Sequence, residues 1–132
     1  NQWIKKTDLK NIEYNEKNFF KILKLFLNTK YLWGGKTSNG IDCSALIQMF
    51  FFFNNIYFPR DTKDQIKFLK KIKNYKVYKK DKLLYWKGHV AICLNKKFLI
   101  HAYGPKKKVI IMKIIDTVKE IKKNANLDLQ QI

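Results

Sequence analysis

Cys43 stands in the run Tyr31-Leu-Trp-Gly-Gly-Lys-Thr-Ser-Asn-Gly-Ile-Asp-Cys-Ser-Ala, after a glycine-bearing loop and an aspartate and ahead of an apolar stretch. The only two histidines of the chain, His89 and His101, come later, each beside an apolar run with strand character. A thiol at a helix start, with histidines elsewhere in the chain, has the chemistry of a nucleophile and its base. The thiolate is the reactive form of cysteine, and a helix N-terminus stabilises it. The Cys43 backbone N–H has no partner inside such a helix and is free to meet an oxyanion. His89 opens the strand Gly88-His-Val-Ala-Ile and is the better base. A third polar group must fix its tautomer, and His101, at the end of the next apolar run, supplies one if the two strands pair as a hairpin. Either histidine alone would read as an ordinary half-buried side chain; the set of three at the ends of successive elements reads as a site.

Charge is the loudest bulk feature. The net charge of +18 suggests an acidic partner such as nucleic acid, a membrane surface or an anionic wall polymer. The lysines, however, are spread along the whole chain and accompany abundant Asn, Ile, Phe and Tyr, the pattern of a coding bias that yields a solvated lysine surface. No nucleic-acid-binding motif accompanies them, and no specific nucleic acid is expected as a partner. Against this background the single arginine, Arg60, marks a position that calls for a planar, bidentate fork. Two cysteines do not make a disulfide framework. Cys93, in an apolar run, reads as a small buried hydrophobe. A zinc site built from both cysteines and both histidines lacks the short ligand spacings of such sites, so neither metal nor cofactor is expected.

The elements that must carry these residues follow from periodicity. With 132 residues the chain suffices for one domain with one core. Its apolar runs are too short to cross a bilayer. Residues 14–27 show helical spacing, and 31–41 form a loop with Gly34, Gly35 and Gly40. Residues 43–53 are apolar nearly all round and predict a central buried helix. Thr62-Lys-Asp-Gln65 matches a capping box, with Gln65 reaching back to the Thr62 amide, and predicts a helix to about residue 72. Short β-rich runs follow at 76–78, 83–86, 90–94, 98–102 and 109–114, with Asn95-Lys-Lys suited to a hairpin. Asp116 can cap a last helix to about residue 123. Helices first and strands second predict an α+β fold, with helices on one face of an antiparallel sheet.

Four motifs then occur in order: Tyr31-x-Trp33-Gly34-Gly35-x4-Gly40-x-Asp42-Cys43-Ser44, Pro59-Arg60-x-Thr62-x2-Gln65, Gly88-His89-Val90-x-Ile92 and His101-Ala102. Together they resemble the NlpC/P60 cysteine peptidases over about residues 17–121. The resemblance implies a papain-like α+β fold, with Cys43 as nucleophile, His89 as general base and His101 as the orienting third member. It implies hydrolysis of peptidoglycan stem peptides or muropeptides, commonly at the γ-D-glutamyl bond to a diamino acid. In the subgroup like dipeptidyl-peptidase VI, Asp42 and Ser44 would hold a free α-amino group of L-Ala and Tyr31 would assist the oxyanion. The family arginine falls on Arg60, with a site-shaping role expected. The chain departs from the family pattern at Ala45, where a glycine is usual, and at Asp81, displaced by one position. Residues 1–12 are read as a lead-in, with Trp3-Ile-Lys-Lys as the closing strand of a preceding bacterial SH3 domain, and 13–132 as the catalytic domain of a longer protein. A bacterial cell envelope, periplasm or cytoplasm would each suit that activity. Two other readings use the same residues: a basic wall- or nucleic-acid-binding module with a vestigial triad, and a related thiol acyltransferase or amidase.

Overall fold

The computed structural model describes residues 3–71 and 83–130. The expected strand at 76–78 and the Asp81 departure lie outside these residues. Residues 3–18 run without helix or strand apart from one 3-10 turn at Lys6–Asp8, and Trp3 is exposed. Helix α1, Phe19–Leu23, continues into a 3-10 turn at Lys24–Phe26. It is much shorter than the apolar spacing predicts. The cause lies at residue 16: the Asn54 carboxamide accepts from the Glu16 N–H at 2.7 Å and donates to the Glu16 carbonyl at 3.1 Å. Those backbone groups are thereby lost to a helix, and Asn18 caps the helix that does form.

A two-residue hairpin, β1 (Lys36–Thr37) and β2 (Gly40–Ile41), leads into α2, Cys43–Phe53. The helix begins at the predicted residue because Asp42 is a good N-cap, its carboxylate accepting from the Ala45 N–H at 2.9 Å. The methyl of Ala45 is fully buried there. Met49 is half-buried, and the C-terminal end of α2 departs further from the buried expectation, with Phe52 and Phe53 exposed. Helix α3 spans Thr62–Lys71. Gln65 does not close a capping box. Its Nε2 donates to the carbonyls of Ser44 at 3.1 Å and Pro59 at 3.0 Å, and its Oε1 accepts from Tyr85 Oη at 3.0 Å. Burial decides this: a fully buried amide satisfies the buried groups around it before an exposed helix end.

Strands β3 (Leu83–Trp86), β4 (His89–Cys93), β5 (Phe98–Tyr103) and β6 (Lys108–Lys113) form one antiparallel meander in that order. The Asn95 side chain shapes the predicted β4–β5 hairpin, accepting from the N–H groups of Lys97 and Phe98. Helix α4, Ile114–Ala125, starts two residues before Asp116, which sits in its first turn. Alternation sorts the strands onto two faces. Leu83, Tyr85, Val90, Ile92, Ile100 and Ala102 pack with α1, α2 and α3, where Phe51 and Phe58 stack at 3.6 Å between centroids. Trp86, Ala91, Leu99, Tyr103 and Met112 face the other way, against Ile114, Val118 and Ile121 of α4. The fold is α+β as expected, but helices cover both faces of the sheet rather than one. Among the described residues no helix is long and apolar enough to cross a membrane.

Candidate active site

The nucleophile candidate enters from one face of the sheet and the histidines from the other. Cys43, first residue of α2, lies at the edge of β4, with its Sγ 3.9 Å from the Gly88 carbonyl oxygen. The Val90 N–H, on the other side of His89, is among the amides that favour the Cys43 thiolate. Gly88, with φ of +78°, turns the chain between β3 and β4 through a left-handed conformation that favours glycine.

His89 and His101 do share one side of the sheet, with His89 Nε2 3.0 Å from His101 Nδ1. The far nitrogen of His101, Nε2, lies 3.3 Å from Met112 Sδ. Aromatic rings box the pair. Trp86, the register partner of His89, sits 5.6 Å from it between centroids, and Tyr103 stacks on His101 at 4.6 Å. Sequence reasoning missed Trp86, Tyr103 and Met112 as neighbours of the histidines. The signal was present in strand parity, since Tyr103 is two residues from His101 on the same face.

The full burial of His101 and partial burial of His89 govern the electrostatics. Burial holds His89 down at about 4. Burial, with the neighbouring His89, holds His101 down at about 3. Burial likewise pushes the Cys43 thiol up to about 11, although the N–H groups of Val90, Ser44 and Cys43 favour its thiolate. Thiol and imidazole are therefore both neutral at pH near 7. Tyr31, half-buried beside them, is raised to about 12 by burial and by the charges of Cys43 and Asp42, so its hydroxyl keeps its proton.

Asp42, Ser44 and Arg60 form one cluster. The Arg60 Nη1 donates to Asp42 Oδ1 at 3.0 Å and to Ser44 Oγ at 2.7 Å, and its Nη2 donates to Asp42 Oδ2 at 2.6 Å. Asp42 also accepts from Gly34 N–H at 3.0 Å, Ala45 N–H at 2.9 Å and Ser44 Oγ at 3.1 Å. Burial alone would raise its pKa, but the Arg60 bonds and these amides more than offset that and hold it below the usual carboxylate range. Five donors fill the capacity of one carboxylate, so a ligand ammonium at Asp42 would need Arg60 or an amide to give way.

These residues open on a cleft of about 220 Å³ lined by Tyr31, Trp33, Asp42, Cys43, Ser44 and Arg60. A second hollow of about 270 Å³ shares Thr62 and Gly88 with it. A larger hollow of about 410 Å³ near Phe19 and Cys93 holds none of the seven residues singled out above. Among the described residues no three of His, Cys, Asp or Glu come together as a metal site.

This fold and arrangement match one group of proteins. The NlpC/P60 family model matches residues 28–124, most of the chain, and the chain belongs to that family. It is 38% identical over 78 residues to dipeptidyl-peptidase 6 of Lysinibacillus sphaericus, covering 58% of this chain and 28% of that protein. It is 30% identical over 102 residues to gamma-D-glutamyl-L-lysine dipeptidyl-peptidase of Bacillus subtilis, covering 72% of this chain and 34% of that one. The chain thus spans about a third of the length of these relatives or less. Among solved structures, an NlpC/P60 family protein from Bacillus cereus aligns with a TM-score of 0.64 at 23% identity, over 85% of this chain and 41% of its own. The peptidoglycan hydrolase RipB of Mycobacterium tuberculosis aligns with a TM-score of 0.61 at 20% identity, over 88% and 63%. The papain-like α+β fold expected from the motifs is the fold these structures share.

Proposed function

We propose that the chain is a cysteine endopeptidase acting on peptidoglycan stem peptides or muropeptides at the γ-D-Glu to diamino acid bond, with Cys43, His89 and His101 as its triad. The observation that carries the reading is the 3.0 Å contact of His89 Nε2 with His101 Nδ1, together with the Cys43 thiol 3.9 Å from the carbonyl of Gly88, the residue before His89. With Nε2 engaged, His89 keeps Nδ1 for the thiol. Because thiol and imidazole start neutral, the proton moves from Sγ to His89 as Sγ attacks the scissile carbonyl. The oxyanion is met by the Cys43 backbone N–H and by the Tyr31 hydroxyl, which stays protonated. The C–N bond breaks, the His89 imidazolium protonates the leaving amine, and a thioester remains. Water, deprotonated by His89, then releases the acid and restores the thiol.

Ser44 and Asp42 are proposed to read the substrate's amino end from the floor of the cleft, one of the present donors to Asp42 giving way to the ammonium as it binds. The names of the two dipeptidyl-peptidase relatives support this class of substrate. The test is digestion of L-Ala-γ-D-Glu-diamino acid peptides, with and without a free amino terminus, read by mass spectrometry. The chain should cleave the free-amine peptide, and Cys43→Ala should fold but leave it intact. Cleavage retained by that variant would end the assignment.

A further inference from the structure

Each ring nitrogen of His101 has one neighbour. Nδ1 lies 3.0 Å from His89 Nε2, and Nε2 lies 3.3 Å from Met112 Sδ. The His101 ring is fully buried, so bulk water does not reach either nitrogen. The sheet register brings the sulfur there. His101 pairs with Ile110 and Leu99 with Met112, which makes His101 and Met112 diagonal neighbours on one face, within reach of a long side chain.

The chemistry of the two partners differs. A thioether sulfur has lone pairs and no hydrogen, so it can only accept, whereas a neutral imidazole carries one N–H and one bare nitrogen. With the proton on Nδ1, the bare Nε2 of His101 would face the sulfur lone pairs, and a buried acceptor would be left without a donor. With the proton on Nε2, His101 donates to Met112 and its Nδ1 accepts from His89 Nε2–H. His89 then has its own Nδ1 bare, the state a base needs.

We propose that Met112 is a positioning residue: its Sδ fixes the tautomer of His101, and through it that of His89, so that His89 presents an unprotonated Nδ1. The sulfur touches neither substrate nor nucleophile in this scheme. Its consequence for turnover rests on the hydrolase reading above; the tautomer assignment itself does not.

The test is long-range ¹H–¹⁵N correlation on the whole chain at about pH 7, where both imidazoles are neutral. The expected spectra show Nε2 protonated and Nδ1 bare in both histidines. Met112→Leu keeps the volume and removes the acceptor. It should lower the Nε2–H share of His101. In peptide assays it should lower kcat and leave KM within about twofold. Met112→Gln, whose amide oxygen accepts, should recover both tautomer and kcat. A wild-type His101 protonated on Nδ1 overturns the proposal, as does a Met112→Leu chain with unchanged tautomers. If Met112→Leu fails to fold, the wild-type spectrum and Met112→Gln decide. A wild-type chain with the expected tautomers but no cleavage would sink the hydrolase reading and leave the tautomer assignment standing.

Discussion

The Arg60 guanidinium grips the Asp42 carboxylate with both terminal nitrogens, Nη1 to Oδ1 at 3.0 Å and Nη2 to Oδ2 at 2.6 Å. Nη1 adds Ser44 Oγ, so the one arginine of the chain spans both residues that flank the nucleophile candidate.

That grip has a measurable worth. Arg60→Met leaves a buried carboxylate without its counter-charge and should cost about 3 kcal/mol in urea unfolding. Arg60→Lys keeps charge but loses the fork, and should fall between the two. The exposed pair of Lys67 and Asp64, at 3.4 Å, is the control, and Lys67→Met should change stability by less than about 0.5 kcal/mol. Equal costs at the two sites would contradict a structural role for the fork.

The buried His101 and half-buried His89 make acid destabilising. Unfolded histidine titrates near 6.5, whereas His89 and His101 are held at about 4 and about 3 by burial. Below about pH 6.5 the unfolded chain takes up protons that the folded one refuses. Stability is therefore full above that pH and is lost as pH falls toward 4 and then 3, by about 1.4 kcal/mol per pH unit for each histidine. His101→Asn should remove about half of that slope. Urea midpoints that stay level from neutral pH to about 4.5 would refute it.

The thiol should behave as a thiol. Burial raises Cys43 to about 11, so little thiolate exists in the free chain at neutral pH. Alkylation by iodoacetamide, followed at the Cys43 peptide by mass spectrometry, should climb about tenfold per pH unit from neutral pH into the alkaline range. A rate already at its plateau below neutral pH would indicate a thiolate–imidazolium pair instead.

Gln65 offers a fourth measurement. Gln65→Leu would strand the Ser44 and Pro59 carbonyls and the Tyr85 hydroxyl in a dry interior. The expected cost is about 3 kcal/mol. Thr62→Ala, at the other end of the supposed capping box, should cost about 1 kcal/mol or less. A costly Thr62→Ala beside a mild Gln65→Leu would restore the capping reading.

Sequence made some of this architecture readable and hid the rest for physical reasons. The start of α2 was legible because Asp42 is an N-cap followed at once by an apolar run, a signal local in the chain. The β4–β5 hairpin was legible from Asn95, whose side chain does the turning. The length of α1 was not, because its limit comes from Asn54, far along the chain. Gln65 misled for the same reason: its spacing from Thr62 is local, while its partners on α2 and β3 are distant. Arg60 was visible by its rarity and by its place in the Pro59-Arg60 motif, whereas its pairing with Asp42, eighteen residues away, emerges only in the fold. Met112 carries no motif and emerges only when β5 and β6 are set in register.

The placement of Cys43 on a helix and of the two imidazoles on a later hairpin has a consequence for how the chain is born. During synthesis the thiol emerges first, and both ring systems follow only after many further residues have been added. Until the strand partners Ile92 and Ile100 have zipped, the imidazoles have no reason to meet, and until β4 docks beside α2 the sulfur has no companion. A nascent or half-melted chain thus carries an ordinary cysteine, and the arrangement of Cys43, His89 and His101 proposed above exists only once β4 and β5 are in place.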